Sequence, residues 1–98
     1  MFISSLFVNE GLKHRDTTVI YWEILQALAS GPQLPTRLSR LVNVPYDRFG
    51  EYVGVLTSGG LVKVESSDEH ERYAITPHGM EALHHLDTVL KMLFSAMR

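Results

Sequence analysis

Cysteine is absent from this chain of 98 residues, so disulfides and thiolate metal sites are excluded from the outset. Basic charge is also short. Nine lysines and arginines face eleven aspartates and glutamates, a formal net charge of −2, where nucleic-acid-binding domains of this size usually carry a basic excess. No apolar run approaches the roughly 20 residues of a membrane span. The opening residues have no basic stretch ahead of their apolar ones, so no secretory signal is expected and the cytoplasm is the default compartment. What is present is 45% hydrophobic residues, enough for one small globular domain. Its core is modest, so pairing with a second copy would add stability.

The densest local information lies between Leu56 and Pro77. Gly59 and Gly60 are expected to end a helix, both supplying a positive φ. Val62 and Val64 then alternate with Lys63 and Glu65, and Tyr73 and Ile75 with Arg72 and Ala74, which predicts two strands covered on one face. Ser66 to Glu71 is polar throughout and reads as the loop between them. Thr76-Pro77 is an N-cap followed by proline at the first helical position. A β-hairpin between two helices has the form of a wing.

Three helical patterns precede it. Asp16 or Thr17 can cap the first, whose apolar stripe is Ile20, Ile24, Leu25 and Leu28, with Gly31-Pro32 as its stop. Pro35 to Val42 makes a short second helix, with Leu38 and Leu41 expected inward and Arg37 and Arg40 outward. Pro45 can open a third, with Phe49, Val53 and Leu56 on one face flanked by Tyr46 and Tyr52. Two short helices joined by a turn, followed by a hairpin, predict a winged helix-turn-helix in the α+β class, mostly helical. The expected division is an apolar extension over residues 1–15, the winged helix-turn-helix over 16–76 and a last helix over 77–98.

Along that last helix Leu83, Leu86, Leu90, Leu93 and Met97 recur at steps of three and four, the seam of a coiled coil. With Phe94 they are the expected dimer interface, and Asp87 and Lys91 should pair on the flank at i,i+4. In the extension, Phe2, Ile3, Leu6 and Phe7 share one helical face and are expected to be ordered against that interface.

The stretch from Tyr46-Asp47-Arg48-Phe49 through Leu56-Thr57-Ser58-Gly59-Gly60-Leu61-Val62 to Tyr73-Ala74-Ile75-Thr76-Pro77-His78-Gly79 resembles the small archaeal winged-helix proteins described as predicted transcriptional regulators or chromatin-associated DNA binders. The resemblance covers most of the chain, from about Thr17 to Met97. It implies double-stranded DNA as partner and a homodimer joined through the C-terminal helix.

On the residues themselves, the DNA-contacting candidates are Arg37, Arg40, Tyr46 and Arg48 on the helix-turn-helix, with Lys63 and Arg72 on the wing. Lys13, His14 and Arg15 add cations ahead of the first helix. The outward face of the third helix is Asp47, Glu51, Gly54 and Ser58, with Gly50 at its margin, a poor set for phosphates or guanines. DNA contact is therefore expected to be backbone-dominated. The alternative is a protein-interaction module. Gly50 and Gly54 would form a flat edge beside two acids where a basic segment could dock, and Trp22, away from the apolar stripe, could join an interface. Catalysis, metal binding and a cofactor are not expected. His84 and His85 are adjacent and diverge, Glu81 and His85 read most simply as a surface pair, and no catalytic constellation is present.

Overall fold

A computed structural model describes residues 17–97. The expectations for Met1 to Asp16, including the apolar extension, Lys13, His14 and Arg15, lie outside them. Four helices and one hairpin follow in the order α1 (Thr17–Ala29), α2 (Pro35–Leu41), α3 (Tyr46–Ser58), β1 (Val62–Ser67), β2 (His70–Ile75) and α4 (Pro77–Ala96).

The core forms where the three helical stripes meet. Ile20, Ile24, Leu25 and Leu28 of α1 pack with Leu38, Val42 and Val44 and with Phe49, Val53 and Leu56 of α3, and Val62 closes the cluster from the wing. Leu41 was expected inward but is 54% exposed. A seven-residue helix has less than two turns to bury, and its inward positions go to Leu38 and Ser39, with Val42 following. Ser39 is tolerated inside because its hydroxyl donates to the Thr36 carbonyl at 3.0 Å.

Each boundary has a local cause. Gly31, at φ 144°, follows α1. Leu34 is extended ahead of Pro35, as the residue before proline prefers. Asn43 takes φ 57° in the turn between α2 and α3, a conformation asparagine tolerates, and extended Pro45 leads into α3 as its N-cap. At the end of α3 only Gly60 is left-handed, at φ 75°, whereas Gly59 continues in the helical region at φ −83°. The expectation of two positive φ values is corrected. The Leu61 amide reaches back to the Leu56 carbonyl at 2.9 Å and the Gly60 amide to that of Thr57 at 3.1 Å, the paired bonds of a Schellman cap, which needs one left-handed residue.

The wing is longer than expected. β1 and β2 pair antiparallel from Val62↔Ile75 to Ser67↔His70, leaving only Asp68 and Glu69 as the turn, with Asp68 at φ 58°. Ser66, Ser67, His70 and Glu71 are thus strand residues and not loop. The simple alternation also fails: Val64 is 50% exposed, while Ala74 on the opposite face is 5% exposed. The hairpin leaves the core as it rises, so Val62 is covered and Val64 is not. Near its base it is held on both faces. Gln33, between α1 and α2, exchanges both backbone hydrogen bonds with Tyr73 at 2.9 and 3.0 Å, adding a short third partner to the β2 edge.

Thr76 caps α4, accepting from the Gly79 amide at 2.9 Å, with Pro77 next. α4 lies along α1, and Leu83 and Leu86 pack against the core of their own protomer. No helix among the described residues is long and apolar enough to cross a membrane.

Candidate nucleic-acid interface

The burial of Phe49, Val53 and Leu56 fixes the rotation of α3, and everything outward follows from it. At about 100° per residue, Tyr46 and Arg48 stand roughly 160° apart, on opposite flanks of the helix. On one flank, Tyr46 is 59% exposed and its ring stacks on buried Phe49, with centroids 6.4 Å apart and planes at 21°. Tyr46 and Arg40 line a shallow hollow of about 480 Å³, with Thr36, Ser39, Asn43, Val44 and Pro45 completing its walls. Arg37 is exposed one turn earlier on α2.

On the other flank, the Arg48 guanidinium donates through Nη2 to the Tyr52 hydroxyl at 3.1 Å. The Tyr52 ring meets Tyr21 of α1 edge-on, with centroids 5.9 Å apart. Burial, then the neighbouring Tyr52, pushes the Tyr21 hydroxyl above its ordinary pKa. Arg48 therefore does not join Arg40 in one patch. Among the described residues no ion pair holds Arg37, Arg40 or Arg48.

Between the flanks, Asp47, Glu51 and Ser58 are exposed. A Cβ added at Gly50 or Gly54 would meet nothing within 4 Å, so these glycines answer no crowding inside the protein. Asp47 has a local role as well, an acid in the first turn of a helix, where the macrodipole favours it.

The wing cations are placed differently. Lys63 Nζ lies 3.4 Å from Glu65 Oε2, and half-buried Arg72 stands opposite Glu65 in the strand register. Exposed Asp68, Glu69 and Glu71 surround the tip. Lys63 and Arg72 are thus set among acids of the same hairpin, and Lys63 is paired with one of them. Burial, then neighbouring Tyr46 and Glu71, raises the Tyr73 hydroxyl pKa.

The expected seam of α4 divides. Leu83 and Leu86 are taken up by the protomer's own core and Leu90 is 5% exposed within a single chain. Beyond it, Met92, Leu93, Phe94 and Met97 are 66%, 41%, 51% and 77% exposed. Asp87 and Lys91 pair at 3.0 Å, as the spacing predicts. Glu81 takes His78 as its partner, at 3.3 Å, and not His85. His84 and His85 instead meet ring edge to ring face, with centroids 5.9 Å apart. No group of three or more His, Asp or Glu side chains among the described residues could hold a metal. Trp22 is half-buried, and its enclosed indole N–H has no acceptor among the described residues.

Sequence reasoning missed the Arg48–Tyr52 bond, although the i,i+4 spacing that allows it is in the sequence. It also missed the Gln33–Tyr73 bridge, for which no local pattern exists.

No curated protein sequence matches the chain. Solved structures do. The transcriptional regulator BldR from Sulfolobus solfataricus is similar with a TM-score of 0.76 at 24% identity, over 81% of this chain and 59% of that one. The chain thus spans less than two thirds of BldR's length. Sso10a-2, a DNA-binding protein from the same organism, is similar with a TM-score of 0.73 at 23% identity, over 85% of this chain and 90% of its own. The homodimeric winged helix-turn-helix DNA-binding domain Mb0332 from Mycobacterium bovis has a TM-score of 0.60 at 19% identity, over 76% of this chain and 68% of its own. At these identities the likeness is one of fold. The family model for the winged helix-turn-helix matches residues 14–94. With three helices, a wing, the capped junction into α4 and a family match over most of its length, this chain belongs to the winged helix-turn-helix family, and it is not an enzyme.

Proposed function

We propose that the protein binds double-stranded DNA as a homodimer and acts as a transcriptional regulator. The observation that carries the reading is the set of exposed donors around α3. Arg37, Arg40 and Tyr46 lie on one side and Arg48 on the other, with none of the three arginines in an ion pair among the described residues. The similar structures described as a transcriptional regulator and as a DNA-binding protein support it. Phosphates line both rims of a major groove about 12 Å wide, which admits a helix, so donors on two flanks suit one that lies in it. The acidic outward face makes affinity backbone-dominated and strongly salt-dependent. Lys63 and Arg72 contribute less, because Glu65 stands beside both. Two copies pair through the exposed end of α4, at Leu93, Phe94 and Met97, which spaces two reading heads.

The test is fluorescence anisotropy of labelled random-sequence duplex DNA, titrated with protein at low and then physiological salt. Binding that weakens steeply with salt is expected, and Arg37→Glu with Arg40→Glu should weaken it without loss of stability. Absence of binding at low salt would overturn the reading.

A second reading has its own observation. The open space at Gly50 and Gly54, beside exposed Asp47 and Glu51, would let the backbone of a basic protein segment approach α3 closely. Protein capture by wild type that is lost on Gly54→Ala, with no DNA binding, would favour it.

A further inference from the structure

Arg48 has acidic neighbours within easy reach. Asp47 precedes it, and Glu51 lies at i+3, a spacing at which helical side chains meet. It pairs with neither. Its Nη2 instead donates to the neutral hydroxyl of Tyr52, at i+4. The Tyr52 ring is half-buried and braced edge-on by Tyr21, whose own ring packs against the core. Three side chains from two helices thus connect the core to one guanidinium on the flank of α3.

Two consequences follow. The guanidinium keeps its charge uncancelled, because a phenol orients a cation without neutralising it. A long, flexible side chain is also drawn toward one position, where a free arginine would sample many. A phosphate arriving at that flank then meets a donor whose ordering has been partly accomplished before binding. Tyr46 is prepared in a similar way on the other flank, by stacking on Phe49.

From this geometry we infer that Tyr52 is a positioning residue for DNA binding. It holds Arg48 on the flank of α3 opposite Arg40 and Tyr46, so that the helix is anchored to phosphates on both sides. The inference rests on the DNA-binding reading above and adds to it a residue that itself touches no DNA.

A double-mutant cycle tests it, with the full-length protein and random-sequence duplex DNA at fixed low salt. Tyr52→Phe removes the hydroxyl and keeps the ring against Tyr21. It should raise Kd about three- to tenfold, the scale of ordering one long side chain, with the melting temperature unchanged. Arg48→Ala should weaken binding further and lower the salt slope by about one contact's worth, whereas Tyr52→Phe should leave that slope as it is. In the Arg48→Ala background, Tyr52→Phe should change nothing more. An equal loss in both backgrounds would show that Tyr52 acts independently of Arg48 and would overturn the inference while leaving DNA binding intact. No effect of Tyr52→Phe alone would overturn it as well. Failure of the wild-type protein to bind would overturn both this inference and the reading beneath it.

Discussion

The Thr76 hydroxyl lies 2.7 Å from the carbonyl oxygen of Gly60, sixteen residues earlier in the chain. The Thr76 hydroxyl oxygen also accepts from the Gly79 amide at 2.9 Å, and the Thr76 amide donates to the Leu61 carbonyl at 3.0 Å. One residue therefore caps α4 and ties the exit of the wing to its entry. The hairpin is clamped at its base by this contact and by the Gln33–Tyr73 bridge, and it rises from a fixed root.

Thr76→Ala should remove the cap and the tie together. Loss of an N-cap alone costs about 1 kcal/mol, and the second bond adds to it. A lower melting temperature with retained helicity, followed by circular dichroism, is the expected outcome; an unchanged one would show that the backbone bond between Thr76 and Leu61 suffices.

Gly79 is required by close approach and not by its backbone conformation. A Cβ there would collide with the Leu61 carbonyl oxygen and crowd Ile75 Cγ1. Backbone cannot yield as a side-chain tip can, so Gly79→Ala should cost about 1–3 kcal/mol or somewhat more. Denaturant unfolding measures it.

Gly50→Ala and Gly54→Ala should do the reverse. Nothing lies within 4 Å of either new methyl, and alanine is favoured over glycine in a helix by about 1 kcal/mol. Each variant should melt higher than wild type. Their effect on binding is diagnostic: flank-anchored DNA contact should change little, while docking of a protein backbone on that face should be lost.

The exposed and buried parts of the α4 stripe should separate in solution. Leu93→Glu and Met97→Glu place charge on exposed positions and should yield folded monomers by sedimentation velocity. Leu90→Glu buries an unpaired charge inside the protomer and should unfold it. Leu93→Glu that remains dimeric would move the interface elsewhere.

At alkaline pH the protein should lose stability. Tyr21 and Tyr73 have folded pKa values raised above the ordinary 10.0, burial being the first cause for each. The neutral phenol is the form the fold favours, so their contribution is complete below pH 10 and declines as pH rises through the folded values. Tyr73→Phe should reduce that decline, read from melting temperatures between pH 8 and 11.

Most of the fold was legible because its signals are local. Thr76-Pro77 predicted a cap that forms as read, and the stripes at Ile20, Ile24, Leu25 and Leu28 and at Phe49, Val53 and Leu56 are buried as spaced. Leu41 was misplaced because a helix of seven residues is oriented by what it packs on. Val64 and Ala74 were misplaced because a period of two reports which residues share a face and not how far the neighbouring core extends. In the candidate site, the residue types around α3 and their angular spacing were legible, but the bond that holds Arg48 was not, since Arg48 is directed by a hydroxyl that only the packing of Tyr52 on Tyr21 sets in place.

By itself the sequence determined the order of elements, the Thr76 cap of α4 and the buried faces of α1 and α3, because periodicity, glycine and proline act over one or two turns. Only the tertiary structure decided how far the α4 stripe serves its own core before it is exposed, that Gln33 joins the wing, and that cations with no ion pair among the described residues stand on both sides of an acidic helix. Those outcomes depend on which surfaces meet across long sequence separations, and no local pattern encodes that geometry.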